Sequence, residues 1–503
     1  MTASTDLDPT PAVPSDDCAT YDLFIDGDWS PAASDDPIMR HSPADGRLVG
    51  RYGSGTAADV DRAVAAARRA FDDSPWPTLP ARERSAIMLR AAALLRERAP
   101  EIGRRIALEL GKPLRLAIGE VTLTAEVFEY YGCLVQDLRG HAVSQHVPNA
   151  LGLVLHEPVG VVAAITPWNF PLLLLSWKIA PALAAGCTVV AKPASLTPGS
   201  TLDLAVVLRD AGVPAGAYNV VTGGGREVGG ALTTHRGVDK IAFTGSTEVG
   251  REVLTAAATN IKKVTLELGG KSPNIVFPDA DLDAAVKGAY WGIFLNTGQA
   301  CQAGSRLLVH RDVHDEFVGR LADMARSSRV GDPLDPATMI GPVVDHGQLS
   351  TVMRYIDAGN AEGARLVAGG ERLRGAAFDD GLYVQPTIFD GVSASMSVGR
   401  EEIFGPVLSV FTFDDAADAV RQANDSMYGL AAAVWTTNVD TAINTAKGVK
   451  AGTVWVNTYH DAGLPFVLPM GGYKSSGLGR ELGREGLDEY FETKSVHIQL
   501  ARN

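Results

Sequence analysis

From about residue 151 onward the sequence alternates short β-rich runs with helical stretches, and this restricts the fold more than any other feature of the chain. "GLVLHEPVGVVAAIT", "CTVVAKP", "YNVVTG", "KIAFTGS" and "KKVTLEL" read as strands, with "GSTLDLAVVLRDAG" and "STEVGREVLTAAAT" as helices between them. Strand and helix in turn predict a parallel, doubly wound sheet with right-handed crossovers. A second such set follows Leu268, through "SPNIVF", "SRLLVH", "LSVFTF", "LAAAVWT" and "GTVWVN". With 503 residues, more than one core is expected. Ahead of both sets, Thr56 to Arg98 reads as two amphipathic helices. The pieces 141–159 and 484–500 are each β-rich near one end, and "TKSVHIQL" reads as a terminal strand with its partner in another domain or subunit.

Residues 161–191 are almost wholly apolar, but Pro167, Asn169, Pro171, Lys178 and Pro181 interrupt the run. A spanning helix needs about twenty uninterrupted apolar residues, so a buried strand, a loop, a helix and a second buried strand are expected instead. The formal charge of -14 argues against a surface that neutralises phosphate backbones, so no nucleic acid partner is expected. Cys18, Cys133, Cys187 and Cys301 form no CxxC pair or Cys/His cluster. The first twenty residues lack a basic start and an apolar run, and read as a frayed acidic leader. Together these features predict a cytoplasmic protein without a membrane or metal partner.

Ligands of doubly wound sheets sit at the carboxyl ends of strands, in loops that lead into helices. In "KIAFTGSTEVGREV", Gly245 and Ser246 follow a strand and Gly250 falls in the next helix, whose start could offer N–H groups to a diphosphate. From the residues alone, a plain strand-to-helix turn is the simpler reading. Lys192 in "TVVAKPASLTP" stands at a strand end, where it could meet ribose oxygens or be a surface charge. Cys301 in "NTGQACQAGSR" has small neighbours that let a ligand approach the backbone closely. A free thiol has a pKa of about 8.5 and needs an activating group to act as a nucleophile. Glu267, at the end of "KKVTLEL" and followed by Gly269 and Gly270, could take a proton from water or thiol, or serve as a cap or ion-pair partner.

Taken together, "PWNF" at 167–170, "FTGSTEVG" at 243–250, "LELGGKSPNIV" at 266–276, "GQACQAGSR" at 298–306, "EEIFGPV" at 401–407 and "GGYKSSGLGRELG" at 471–483 resemble the aldehyde dehydrogenase superfamily. The resemblance runs from about residue 20 to the end. It implies two doubly wound Rossmann-like α/β domains, with dinucleotide binding at 20–140 and 160–268 and catalysis at 269–480. A small bridging β segment at 141–159 and 481–503 would make a homodimer or homotetramer. The implied reaction is oxidation of an aldehyde to an acid with NAD or NADP. Cys301 would form the thiohemiacetal, Asn169 with the Cys301 N–H would hold the oxyanion, and Glu267 would activate the water that releases the acid. The matching cofactor positions are Trp168, Lys192, Ser195, Gly245, Ser246, Gly250, Glu402 and Phe404.

Two departures bear on specificity. Many NAD-using members carry glutamate where this chain has Ser195, so the resemblance leaves NADP open. Between Asn457 and "PMGGYK" lies "TYHDAGLPFVL", with Met470 where phenylalanine is common. Tyr459, Leu464, Phe466 and Val467, with Trp177 and Phe294, suggest an apolar or aromatic substrate tunnel, whereas Asp461 would favour a cationic aminoaldehyde. Rival readings are a CoA-acylating relative, which Glu267 argues against, and a non-redox thiol esterase.

Overall fold

The computed structural model describes residues 18–144, 147–459 and 465–501. The leader expected over the first seventeen residues, and Asp461 and Leu464 of the tunnel, lie outside the described residues.

The run 161–191 folds as its interruptions require. Val161–Ile165 and Thr188–Lys192 are strands with every residue buried, and between them Leu173–Ala185 is a helix with no exposed position. These strands lie at the centre of an eight-stranded sheet, flanked by Lys240–Thr244 and Lys263–Glu267 on one side and Tyr218–Val220 on the other, all parallel. The two-residue period of a strand assigns alternate side chains to opposite layers. Val161, Ala163 and Val190 pack toward helix Ala57–Asp72, whereas Val162, Ala164 and Val189 pack toward helices Ala81–Glu97, Leu114–Leu134 and Leu173–Ala185.

The sheet closes at both edges with antiparallel strands. At one edge Leu23–Ile25 and Asp28–Ser30 form a hairpin whose turn residues Asp26 and Gly27 both have positive φ, the signature of an Asp-Gly two-residue turn. At the other, Gly477–Leu478 pairs with the end of Lys263–Glu267. A smaller sheet joins Ala19–Tyr21, Leu48–Tyr52 and Ile38–His41.

The second alternating set forms a seven-stranded sheet ordered Arg365–Ala368, Thr387–Asp390, Val407–Phe413, Arg306–His310, Pro273–Val276, Ala431–Trp435 and Thr453–Val456. Only its first strand is antiparallel. Here too the period of two sorts the core, with Ile275 and Val434 on one face and Val276 and Trp435 on the other. The run "GLVLHEPVGVVAAIT" belongs to two sheets. Ala150–Pro158 pairs over nine residues with Phe491–Gln499, in a three-stranded antiparallel sheet completed by His141–Val143, before the chain enters Val161–Ile165. Gly160, at φ 124°, makes the change of direction between them. Among the described residues no helix is long and apolar enough to cross a membrane.

Candidate active site

The strand ends of the eight-stranded sheet open onto a cavity of about 800 Å³. Its walls include Trp168, Asn169, Lys192, Gly245, Ser246, Cys301, Glu402 and Phe404, residues spread over 237 positions of the chain, from 168 to 404. Apolar side chains from Ile165, Phe243, Val249, Val253 and Leu268 supply much of the remaining surface.

Cys301 is half-buried, just beyond a tight bend. Asn296 and Thr297 carry φ of 50° and 60°, and Gly298 a φ of 73°. Positive φ is costly for a β-branched residue, so neighbours must hold the bend. Thr297 Oγ1 donates to the Gly341 carbonyl at 3.1 Å, and Asn296 Nδ2 donates to the Asn169 carbonyl at 2.9 Å. A Cβ on Gly298 would strike the Gly405 carbonyl, so this loop presses against the one that carries Glu402 and Phe404. Phe404, itself at φ 58°, meets Trp168 edge to face with centroids 5.2 Å apart. Gln348 holds that loop by donating to the Ile403 and Phe404 carbonyls, each at 2.9 Å.

Asn169 Nδ2 donates to the Gln299 carbonyl at 3.0 Å, which fixes the amide beside the cysteine loop and leaves its second N–H available. Burial pushes the Cys301 thiol up to about 12; the nearby Glu402 and Glu267 carboxylates push the same way, and the Gln302 and Cys301 N–H groups oppose them.

Glu267 ends its strand next to this loop and is almost fully buried. Among the described residues its Oε2 has no hydrogen-bond partner, and burial, with Glu481 nearby, holds its carboxyl well above the usual range. Behind it, Lys178 donates to Glu481 Oε1 at 2.6 Å and to Thr244 Oγ1 at 2.5 Å. Lys178 is thus a buried ionic partner inside an apolar helix, and its presence in that run is the signal the sequence offered. Lys112, paired with Glu120 and donating to the Asn169 carbonyl at 2.9 Å, is a second buried support that no motif marked.

At the cofactor end expected from the sequence, Ser246 caps helix Thr247–Ala257 by accepting from Val249 N. Lys192 Nζ is buried and, among the described residues, donates only to the Pro193 carbonyl, at 2.9 Å; desolvation lowers it to about 8. A buried ammonium without a carboxylate suits an oxygen-rich ligand. The backbone at Gly225 and Gly230 faces open space, where a Cβ would meet nothing within 4 Å. These features fit a dinucleotide.

Other expected residues lie off the cavity wall. Ser195 Oγ donates to the Gly223 carbonyl at 2.9 Å. Gly250 packs on Leu268, where a Cβ would come within 2.5 Å of Cδ2. Trp177, Phe294, Tyr459 and Phe466, expected along a substrate tunnel, are all buried in apolar clusters, and the Tyr459 hydroxyl donates to the Gln302 carbonyl at 2.6 Å. Gln348 and Arg226 line the cavity without having been singled out by any motif.

Parallel strands that end on one cavity, with a free thiol in its wall, place the chain in the doubly wound α/β class. Residues 29–496 match the model of the aldehyde dehydrogenase family, and the chain belongs to that family. The aldehyde dehydrogenase of Enchytraeus buchholzi is 45% identical over 480 residues, covering 95% of each chain. The NAD-dependent aldehyde dehydrogenase of Sinorhizobium meliloti is similar with a TM-score of 0.94 at 46% identity, over 96% of this chain and 95% of that one. Betaine aldehyde dehydrogenase of Staphylococcus aureus, solved in complex with NAD+, gives a TM-score of 0.93 at 38% identity, over 96% of this chain and 95% of its own.

Proposed function

We propose that the protein oxidises an aldehyde to the free carboxylic acid with a nicotinamide dinucleotide, through a covalent intermediate on Cys301. The observation that carries this reading is the sharing of one cavity by Cys301, Asn169, Glu402 and Lys192, with Glu267, whose Oε2 has no hydrogen-bond partner among the described residues, close behind. Cys301 Sγ adds to the carbonyl carbon, and the free N–H of Asn169 with the Cys301 N–H receives the charge on oxygen. Lys192 and Glu402 would hold the dinucleotide, which would supply the two-electron acceptor for the hydride lost from the adduct carbon as the adduct becomes a thioester. Glu267 then takes a proton from the water that attacks the thioester, and the acid leaves as the thiol is restored. The complex of the Staphylococcus aureus relative with NAD+ supports the choice of acceptor.

The substrate class is an apolar, aromatic or amino aldehyde. Exposed Val467 and Leu468 beside buried Phe466 support an apolar rim, and the name of the betaine aldehyde relative supports the amino class. Val143, Val147, Leu155, Ile498 and Leu500 are exposed on the three-stranded sheet or beside it, which supports a homodimer or homotetramer joined there. The test is reduced-nicotinamide formation with NAD and NADP across the three aldehyde classes. Turnover without any nicotinamide, or only with coenzyme A, would overturn the reading.

A further inference from the structure

Arg306 opens the middle strand of the seven-stranded sheet, is only 5% exposed, and forms no ion pair among the described residues. Its Nε donates to the Lys271 carbonyl at 2.8 Å, Nη1 to that of Gln422 at 2.9 Å and Nη2 to that of Ala423 at 2.7 Å. A guanidinium has five N–H groups, so two remain free. Burial brings this one down to about 10, because a desolvated cation without an anion is costly. Arg306 lines a cleft of about 190 Å³ that shares no wall residue with the Cys301 cavity. Leu308, Val392 and Phe411 give the cleft an apolar wall, and Arg400 and Arg421 line it too. Arg421 pairs with Asp418, whereas the exposed Arg400 makes no hydrogen bond or ion pair among the described residues. The one carboxylate in the lining is Asp425, also without an ion pair among the described residues. Two further cations stand near: burial first, and then the Arg306 charge, hold Lys271 and Lys474 below the usual lysine range, with Glu402 and Glu401 opposing at Lys271 and Asp425 at Lys474.

A small concave site that holds a buried guanidinium with spare donors and a second, unpaired arginine suits a tetrahedral oxyanion, which takes two N–H donors from each fork. We propose that the cleft between Arg306 and Arg400 binds a small phosphate, free or carried as a monoester, at a site separate from the Cys301 cavity. The bound ion joins two parts of the catalytic end. Arg306 holds the Lys271 carbonyl, next to Gly270, and Arg400 stands two residues before Glu402. Phosphate in the cleft therefore braces the segments that lead to the cysteine and Glu402 loops.

The experiment is calorimetric titration of the full-length protein and its Arg400→Gln and Asp425→Asn variants with inorganic phosphate, glycerol phosphate and acetate, at one ionic strength set with chloride. Both side chains are exposed, so the variants should fold as the unaltered protein does. Phosphate should bind the unaltered protein, and Arg400→Gln should weaken it about tenfold or more, the range for a lost charge-assisted contact. Asp425→Asn should tighten it about two- to fivefold, because the only carboxylate in the lining is then gone. The tighter of phosphate and glycerol phosphate tells whether the natural ligand is the free ion or a monoester. Equal phosphate affinity in all three proteins overturns the proposal, since binding at the Lys192 end of the larger cavity is indifferent to Arg400 and Asp425. Absence of phosphate binding overturns it as well, and so does acetate bound as tightly as phosphate, which marks a carboxylate site.

Discussion

The backbone N–H of Gly270 donates to a Glu402 carboxylate oxygen at 3.1 Å, joining two loops 132 residues apart in sequence. One loop follows the last parallel strand of the eight-stranded sheet, and the other precedes Val407–Phe413 in the seven-stranded sheet. Glycine is required on the first loop by close approach. A Cβ at Gly269 would fall on the same carboxylate, and one at Gly270 would lie 2.5 Å from the Cys301 carbonyl.

Gly270→Ala should therefore displace the cysteine loop. The expected strain is about 1–3 kcal/mol, felt in kcat more than in the unfolding midpoint. Parallel measurement of kcat and thermal unfolding checks this; unchanged kcat would show that the two loops tolerate separation.

Cys301→Ala should lower dehydrogenase turnover on the order of 10⁴-fold or more while nucleotide binding survives. Retained turnover in steady-state assays would rule out the covalent route.

The Cys301 thiol, raised to about 12 by burial and by the nearby carboxylates, is neutral at pH 7 in the protein without cofactor. Only the thiolate alkylates, so iodoacetamide labelling of Cys301 should rise about tenfold per pH unit between roughly pH 7 and 10. Peptide mass spectrometry reads the rate, and a plateau below about pH 9 would contradict the assignment.

Glu267→Gln keeps the size of the side chain and removes the proton acceptor. The first turnover should persist as a burst, with the steady-state rate reduced by about 10²–10⁴-fold. A quenched-flow trace with neither change would place water activation elsewhere.

Lys178→Met should destabilise the fold by about 3–5 kcal/mol, because it strands Glu481 without its buried partner. Glu481→Leu added to it should recover much of that loss. Urea titrations of the single and double variants check the coupling, and additive losses would deny it.

The alternating patterns were readable because a strand buried on both faces can hardly be anything else, as Val161–Ile165 and Thr188–Lys192 demonstrate. The cavity was readable where a motif fixed its loop, as at Trp168, Ser246 and Glu402. Long-range pairing was not. Lys178 looked like an interruption of an apolar run because Glu481 is 303 residues away, and no local spacing joins them. Tyr459 and Phe294 are both buried, and hydrophobic character alone does not separate a core ring from one that walls a tunnel. The hairpin at Asp26–Gly27 did carry a local turn signal, but its short strands lacked an extended alternating pattern.

The antiparallel strand Gly477–Leu478, paired at its register with Leu266 and Glu267, sets an order of events during synthesis. The strand that carries Glu267 is made with more than two hundred residues still to come, and until position 477 leaves the ribosome its outer edge is an open row of backbone donors and acceptors. The nascent first half of the chain is therefore an adhesive object as well as an incomplete one, and its last closure comes from the far end of the message.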